Sequence, residues 1–253
     1  MIQPLEQRLQ YHPSPQAKHP WSMRKVDRRL DAILQHVDVE GKSVLDLGCS
    51  GGFFSFRLSR LARSVLAIDA DAEIIERNRE MTHRYNYYNI DFQCAKITPA
   101  LIRTLPDSDV TLFLSVFHHM LTISDAYGWN DRFTQQEAFE SLSLIRAKTQ
   151  VLVFEMGYPD EGFEWCQRLP AMLPTPRDWI IKNVFDPSFR TIQIIESPSY
   201  TGIWGGIRER VARLKTSTSI AAKITQHLFS IDPRDNRDIY LGNREKPIEQ
   251  KFE

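Results

Sequence analysis

Short apolar segments alternate with segments of helical periodicity along this chain, and this alternation is the strongest constraint on its fold. Apolar segments predict strands at 43–47, 64–68, 91–95, 109–116 and 149–154. Helical spacing predicts helices at 21–37, 53–62, 72–85, 99–105 and 133–146. Strands that are apolar throughout and separated by helices are typical of a parallel sheet with helices on both faces. Two further strands are predicted at 189–196 and 237–241.

The charge balance of the chain bears on the partners that it can bind. Among its 253 residues, 32 are Lys or Arg and 32 are Asp or Glu, so the formal net charge is +0. Proteins that hold nucleic acid by neutralising phosphates usually carry a basic excess, so composition gives no strong nucleic-acid signal. Three scattered cysteines favour neither a disulfide framework nor a zinc site. The polar N-terminus and the lack of a run of ~18 apolar residues predict a cytoplasmic protein without a transmembrane segment.

We expect one large domain with short appendages. Residues 1–40 form an N-terminal arm and helix, residues 41–245 form the α/β domain, and residues 246–253 form a charged tail. A helical insertion at about 198–235 contains the amphipathic segment 203–223. Its apolar stripe favours a packed surface helix. The alternatives are a substrate lid, or a basic surface that contacts an anionic acceptor or the inner membrane face through Arg208, Arg210, Arg213 and Lys215.

Asp46 and Leu47 end the first predicted strand, and a glycine-rich turn, Gly48-Cys49-Ser50-Gly51-Gly52, follows them. Glycines let the backbone approach a ligand and expose its amide groups at the start of the next helix. A dinucleotide-binding turn has the spacing G-x-G-x-x-G, whereas this turn reads D-x-G-x-x-G-G. The carboxylate of Asp46 would crowd a pyrophosphate, but it suits a ligand that carries an ammonium and a sulfonium. The turn therefore favours a cationic ligand over a nicotinamide dinucleotide.

The ends of the second and third strands predict further ligand contacts. Asp69 lies about twenty positions after the first glycine of the turn, where a carboxylate can accept both hydroxyls of a ribose. Asp71 is better suited to the N-cap of the next helix. Ala95, in the segment Cys94-Ala95-Lys96, is expected beside an adenine ring.

These segments resemble a known family. VLDLGCSGG followed by AIDAD is similar to motif I and post-I of class I S-adenosylmethionine methyltransferases, and the resemblance spans roughly 43–155. It implies a Rossmann-like doubly wound sheet of seven strands, mostly parallel with an antiparallel last strand. It implies S-adenosyl-L-methionine as methyl donor and S-adenosyl-L-homocysteine as product, and no metal is predicted. The residues expected around the methionine part are Asp46, Gly48, Cys49, Ser50 and Gly51. Those expected elsewhere on the donor are Asp69 at the ribose, Ala95 at the adenine, and Ala70 and Ser115.

Later segments carry a narrower resemblance. LSVFHH at 114–119, FEMG at 154–157, EGFEW at 161–165 and DIYL at 238–241 are similar to one group of bifunctional enzymes. These are the kinase–methyltransferases that terminate bacterial O-antigen chains, and the similarity is to their methyltransferase part. Such enzymes methylate the end of a growing, lipid-linked polysaccharide. The resemblance implies O-methylation of a glycan or polysaccharide, at a hydroxyl or a terminal phosphate.

Candidate catalytic residues lie at the ends of the fourth and fifth strands. A sugar hydroxyl must lose its proton as it attacks, and His118 or His119 could accept it because histidine titrates near neutrality. Adjacent side chains of an extended strand point to opposite sides, so we expect different roles and prefer His119 as the base. The alternative is that one histidine packs against the sheet. Glu155 could act as the base, orient a histidine or cap a loop, whereas a phosphate acceptor would need no base.

Other candidates rest on residue type. Tyr158, Trp165 and Trp129 could form an aromatic wall for a sugar ring, although large apolar side chains are at least as often core residues. Arg24 could pair with the carboxylate of the donor. A solvated helix face is the preferred explanation for most of the four basic residues of this helix: Arg24, Lys25, Arg28 and Arg29.

Other functions stay open at this point. The chain could methylate RNA or a small metabolite, or it could be a non-catalytic partner that binds the cofactor. The fourth strand lacks the Asp/Asn-Pro-Pro-Tyr cluster that family resemblance leads us to expect in methyltransferases acting on nucleobase amines, and no Pro-Cys pair occurs for cytosine C5 methylation. The intact pair of Asp46 and Asp69 disfavours a non-catalytic role.

Overall fold

A computed structural model of the protein describes residues 22–121, 134–156, 179–185, 188–196 and 239–244. Its strands are β1 (Ser43–Leu47), β2 (Ser64–Asp69), β3 (Ile90–Cys94), β4 (Ser108–Leu114), β5 (Thr149–Glu155), β6 (Thr191–Glu196) and β7 (Ile239–Asn243). They form one sheet in the order β3-β2-β1-β4-β5-β7-β6. β1 to β5 pair in parallel, and β7 runs antiparallel to β5 and β6. The prediction of a doubly wound, mostly parallel sheet with an antiparallel last strand is confirmed.

Six α-helices accompany the strands in the part of the chain that the structure describes. They are α1 (Ser22–His36), α2 (Phe53–Leu58), α3 (Ala72–Arg84), α4 (Pro99–Thr104), α5 (Phe117–Leu121) and α6 (Gln135–Lys148). Capping side chains fix where some of them begin. The Asp71 carboxylate caps α3 as predicted, by accepting hydrogen bonds from the amides of Glu73 and Ile74. Thr134 and Glu137 form a capping box at the start of α6.

Alternate residues of the strands build a separate hydrophobic core on each face of the sheet. In β1, Val44 belongs to one core and Leu45 to the other, because successive side chains of a strand point to opposite faces. α1, α2 and α3 cover the core of Val44, whereas α4, α5 and α6 cover the core of Leu45. Burial on both faces explains why these strands are apolar throughout their length.

The order of the strands reverses at β1. From β1 the chain adds β2 and β3 on one side, and later adds β4 and β5 on the other. The helices that follow β1 and β4 therefore pack on opposite faces, α2 on one and α5 on the other. In open α/β sheets, ligands bind outside the carboxyl ends of the strands at such a reversal. The fold thus points to the carboxyl edge of β1 and β4 as the place for a site.

Two elements are shorter than their predicted lengths. Ser115 has a φ of 61°, in the left-handed region that residues with a Cβ rarely occupy, and the chain leaves β4 there instead of at 116. The chain then enters α5, so His118 and His119 lie on a helical turn and not on an extended strand. Helix α2 ends at Leu58 instead of 62, and the next hydroxyl, that of Ser59, donates to the carbonyl of Phe56.

The helical insertion at about 198–235, including 203–223, and the tail at 246–253 lie outside the described residues. Within the described ranges, none of the helices has the length and apolar character needed to cross a membrane.

Gly242 of β7 offers a test of the packing in the Leu45 core. A Cβ at this position would lie 2.5 Å from Phe185 and 2.8 Å from Phe189. We expect Gly242→Ala to lower the free energy of unfolding by about 1–3 kcal/mol, as overpacked cores do, in urea denaturation. Adding Phe185→Leu should recover part of that loss. Strictly additive effects of the two substitutions would show that the ring of Phe185 is not the cause.

Candidate active site

Residues from four segments meet where β1, β2, β4 and β5 end. The glycine-rich turn follows β1, Asp69 ends β2, Ser115 follows β4 and Glu155 ends β5. The amide of Ser50 in the turn donates to Asp69 at 2.9 Å. The amide of Ser115 donates to the carbonyl of Glu155 at 2.8 Å. The tertiary structure thus joins predicted donor-binding and catalytic residues along a single edge of the sheet.

Close packing requires glycine at the turn. Gly48 has a φ of 79°, and a Cβ there would lie 2.2 Å from the side chain of Val116. Its amide and that of Cys49 donate to the carbonyl of Ile68, at 2.8 and 3.1 Å, which binds the turn to β2. Gly51 is buried, as is Cys49, and burial raises the pKa of the Cys49 thiol well above its usual value. This thiol is therefore neutral and serves packing, not nucleophilic chemistry.

Asp46 carries a buried carboxyl group in β1, two residues before Gly48 of the turn. Its side chain is 4% exposed and accepts a hydrogen bond of 2.6 Å from the hydroxyl of Ser55 in α2. Burial raises the pKa of Asp46 from 3.8 to about 6; the negative charge of Asp69 adds to the rise and the Ser55 bond opposes it. A cationic group bound beside Asp46 would favour its ionised form again. The sequence analysis did not predict that Ser55 is the hydrogen-bond partner of Asp46. Its position in the first turn of α2, nine residues after Asp46, could have indicated this contact.

Asp69 is held by two backbone amides. Its Oδ2 accepts from Ser50 at 2.9 Å and its Oδ1 accepts from Asp71 at 3.0 Å. Burial raises the pKa of Asp69, and these hydrogen bonds oppose the rise. Each oxygen of a carboxylate can accept a second donor, so the fixed group can still receive the hydroxyls of a ribose.

The end of β3 lies beside Asp69. The amide of Ala95 donates to the backbone carbonyl of Asp69 at 2.9 Å, and the thiol of exposed Cys94 lies 3.8 Å from the carbonyl of Ala70. Both Ala70 and Ala95 are half-buried. Because the amide of Ala95 is already bonded to Asp69, the side chain of Ala95 offers only a small methyl surface to a ligand at this edge.

Glu155 is linked to two other elements. Its side chain is 2% exposed, its Oε1 accepts from the hydroxyl of Ser115 at 2.5 Å, and its Oε2 lies 2.7 Å from Arg29. Arg29 is only 20% exposed and also lies over the ring of Phe54. Arg29 is therefore an exception to the solvated face that we expect for most of the basic residues of this helix, because it borders the buried stripe of α1, four residues before Ile33. Because both carboxylate oxygens already contact protein groups, Glu155 is better placed to hold Ser115 and Arg29 at the carboxyl edge of the sheet than to contact a methyl acceptor.

The two histidines differ in exposure. His118 is fully buried, whereas His119 is half-buried, and their ring centroids lie 4.1 Å apart. The expectation that they point to opposite sides was wrong, because on α5 the two rings lie next to each other. Of the two, His119 has the more accessible side chain.

Several predicted residues lie outside what the structure describes. These are the side chain of Arg24 and the three aromatic candidates, Trp129, Tyr158 and Trp165. Within the described residues, no group of three or more His, Cys, Asp and Glu side chains could hold a metal ion.

Comparisons with known proteins find methyltransferases. A family described as a methyltransferase domain matches residues 44–132. The chain is 28% identical over 170 residues to the O-antigen chain terminator bifunctional methyltransferase/kinase WbdD of Escherichia coli, which is 64% of this chain and 22% of that protein. It is 33% identical over 94 residues to a ubiquinone biosynthesis O-methyltransferase of Neisseria meningitidis serogroup C (strain 053442), which is 36% of this chain and 39% of that protein.

A solved structure of the bifunctional kinase-methyltransferase WbdD shares the fold. It aligns with a TM-score of 0.61 at 23% identity, over 95% of this chain and 45% of that chain. The matched region thus spans less than a quarter of the curated relative's length, and this chain spans less than half of the solved one.

The raised pKa of Asp46 predicts a substitution that stabilises the ligand-free protein. A carboxyl whose pKa rises from 3.8 to about 6 on folding disfavours folding once it ionises. Between these values the folded state holds the extra proton, so stability falls as pH rises through this window, by up to about 3 kcal/mol. Asp46→Asn should remove this penalty and keep an acceptor for Ser55.

Urea denaturation at two pH values tests this prediction. At pH 8 we expect Asp46→Asn to be more stable than the natural protein, and at pH 5 the gain should be roughly half as large. A gain that is equal at both pH values would contradict ionisation as its cause.

The link between Arg29 and Glu155 predicts strong energetic coupling. Removing one member of a buried ion pair leaves the other charge poorly solvated, so Arg29→Met and Glu155→Gln should each destabilise the protein. In a double-mutant cycle we expect a coupling above about 1 kcal/mol. The matched control is the exposed pair of Arg79 and Glu76, at 45% and 66% exposure, whose coupling should stay below about 0.5 kcal/mol. Similar coupling energies in both pairs would contradict the prediction that burial strengthens the interaction between Arg29 and Glu155.

Proposed function

Because the chain carries a class I S-adenosylmethionine-dependent methyltransferase domain, we propose that it transfers the methyl group of S-adenosyl-L-methionine to an oxygen of a glycan or polysaccharide. The acceptor oxygen belongs to a hydroxyl or to a terminal phosphate. The observation that carries the proposal is the pair of carboxyl groups, Asp46 and Asp69, on either side of the glycine-rich turn. Similarity to the O-antigen chain terminator supports the acceptor class.

The turn and its two carboxyl groups fit the chemistry of this donor. Asp46 is buried with a raised pKa, so it gains from a nearby ammonium group, and Asp69 can accept ribose hydroxyls. We assign the methionine part to Asp46, Gly48, Cys49, Ser50 and Gly51. We assign the rest of the donor to Asp69, Ala70, Ala95, Ser115 and Arg24.

The reaction is an in-line displacement at the methyl carbon. The acceptor oxygen forms a bond to that carbon as the carbon–sulfur bond breaks, and the electron pair stays on sulfur as S-adenosyl-L-homocysteine leaves. Alignment of the two reactants can account for roughly 7–11 kcal/mol of the barrier. A hydroxyl acceptor gives its proton to a base, and we assign this role to His119, because its side chain is more accessible than that of His118. We assign Glu155 to holding the edge through Ser115 and Arg29.

The acceptor half of the site rests on predictions from the sequence. Tyr158, Trp165 and Trp129 stay candidates for an aromatic wall around a sugar ring. The cytoplasmic location and a contact of segment 203–223 with the inner membrane face stay predictions as well. So does the division into an arm at 1–40, a methyltransferase domain at 41–245 and a tail at 246–253.

A small-molecule acceptor is the second candidate. The 33% identity to a ubiquinone biosynthesis O-methyltransferase favours it, and a hydroxyl acceptor would use the same donor site and base. The net charge of +0 gives no support to an RNA acceptor.

Transfer of labelled methyl groups to a panel of acceptors tests the proposal. The panel contains an oligosaccharide with a free terminal hydroxyl, the same oligosaccharide with a terminal phosphate, a catechol-type phenol, and RNA. We expect label in one of the oligosaccharides. If the acceptor is the hydroxyl form, His119→Ala should lower kcat by about 100-fold or more. If it is the phosphate form, His119→Ala should change kcat little, because the acceptor is already anionic.

Two measurements serve as controls. His83→Ala, at an exposed histidine in the last turn of α3, should leave kcat unchanged. Calorimetry should show binding of S-adenosyl-L-methionine that Asp69→Ala weakens about tenfold or more, since lost hydrogen bonds to a charged group can amount to ~1.5–3 kcal/mol. Label in RNA or the phenol alone would refute the glycan acceptor, and absence of binding would refute the donor.

A further inference from the structure

A chain of hydrogen bonds connects α3 to the glycine-rich turn through Ser50. The amide of Ser50 donates to Oδ2 of Asp69 at 2.9 Å, and its carbonyl accepts from Nδ2 of Asn78 in α3 at 2.7 Å. Ser50 has a φ of 46°, in the left-handed region that residues with a Cβ seldom adopt. Both backbone groups of the disfavoured residue are thus held by side chains from other elements.

The side chain of Asn78 is fully buried where it contacts Ser50. Its side chain is 0% exposed, and among the described residues its Oδ1 has no hydrogen-bond partner. Burying an amide whose oxygen has no donor is unfavourable. The hydrogen bond from Nδ2 to the carbonyl of Ser50 is therefore the polar contact that fixes the orientation of the Asn78 side chain. The nitrogen faces the carbonyl of Ser50, because the reversed amide would place two oxygens against each other.

The same carboxylate also fixes the helix that carries Asn78. Oδ1 of Asp69 accepts from the amide of Asp71, and the Asp71 side chain caps the start of α3. Asn78 therefore reaches Ser50 from a helix whose first turn is bonded to Asp69. The turn, the carboxylate and the helix form a closed ring of contacts.

We propose that Asn78 is a positioning residue for donor binding, which holds Ser50 in its left-handed conformation and so preforms the glycine-rich turn against Asp69. A turn that is ordered before binding loses less conformational freedom when the ligand arrives, and affinity rises accordingly. Without Asn78 the carbonyl of Ser50 loses this hydrogen bond, and we expect the hydrogen bond from the Ser50 amide to Asp69 to weaken as a result. The identity of the ligand rests on the proposed function, whereas the order of the turn does not.

Two variants and one matched control test this role. Asn78→Ala removes the donor, and we expect binding of S-adenosyl-L-homocysteine to weaken about tenfold in calorimetry. In the ligand-free protein, hydrogen exchange of the Ser50 amide should be at least tenfold faster. Asn89→Ala is the control, because Asn89 also ties backbone carbonyls with its amide, those of Ser59 and Ala62 at 2.7 and 3.0 Å. It should lower Tm but keep affinity and Ser50 exchange within twofold of the natural protein.

Asn78→Asp keeps the volume of the side chain, so it can test the same role if the alanine variant does not fold. Its carboxylate would oppose the carbonyl of Ser50 and the charge of Asp69, so affinity should fall more than in Asn78→Ala at pH 8. As pH falls, the protonated carboxyl can donate to Ser50, and we expect affinity to recover relative to the natural protein at the same pH. A merely structural loss would not reverse in this way.

The outcomes separate the positioning role from the identity of the donor. Unchanged Ser50 exchange in Asn78→Ala, or an equal loss of affinity in Asn89→Ala, would overturn the role of Asn78. If the natural protein binds no S-adenosyl-L-homocysteine, the proposed donor is wrong. The exchange rate of Ser50 still decides whether Asn78 holds the turn.

Discussion

The residues at the carboxyl edge of the sheet, where β1, β2, β4 and β5 end, depend for their arrangement on Asp69. Its two oxygens accept the amides of Ser50 and Asp71, and its backbone carbonyl accepts the amide of Ala95. One residue at the end of β2 therefore fixes the turn after β1, the start of α3 and the end of β3. The hydrogen bonds from Ser50 and Asp71 to its carboxylate favour the charged form of Asp69, but burial opposes it and has the larger effect on its pKa.

Three carboxyl groups at this edge are compensated in three different ways. Glu155 has a cation, Arg29, whereas Asp69 has backbone amides and Asp46 has the hydroxyl of Ser55. The pKa values of Asp46 and Asp69 are raised, so their ionised forms are stabilised less well than in water. Such a site gives up stability in the absence of a ligand and regains it when a positive group binds. This effect of charge supports the proposed ligand, with its sulfonium and ammonium groups, more directly than the glycines do.

The predictions from sequence succeeded where one local rule governs several residues. Strands buried on both faces are apolar along their length, so β1, β2 and β5 were located to within a residue. The pairing of Asp71 with the start of α3 followed from capping alone. The prediction for β4 was wrong at its end, because a left-handed φ at a serine leaves no signature in residue type. That turn moved His118 and His119 from a strand to a helix and changed how their rings are arranged.

The sequence by itself determined the order of strands and helices, the glycine-rich turn and the two carboxyl groups that flank it, because these depend on periodicity and on neighbours along the chain. Only the tertiary structure decided which distant groups meet. Arg29 and Glu155 are far apart in sequence, as are Ser50 and Asn78, and no propensity encodes such pairs. They come together because β1, β2, β4 and β5 pair in parallel, which brings their carboxyl ends and the segments that follow them to one edge of the sheet.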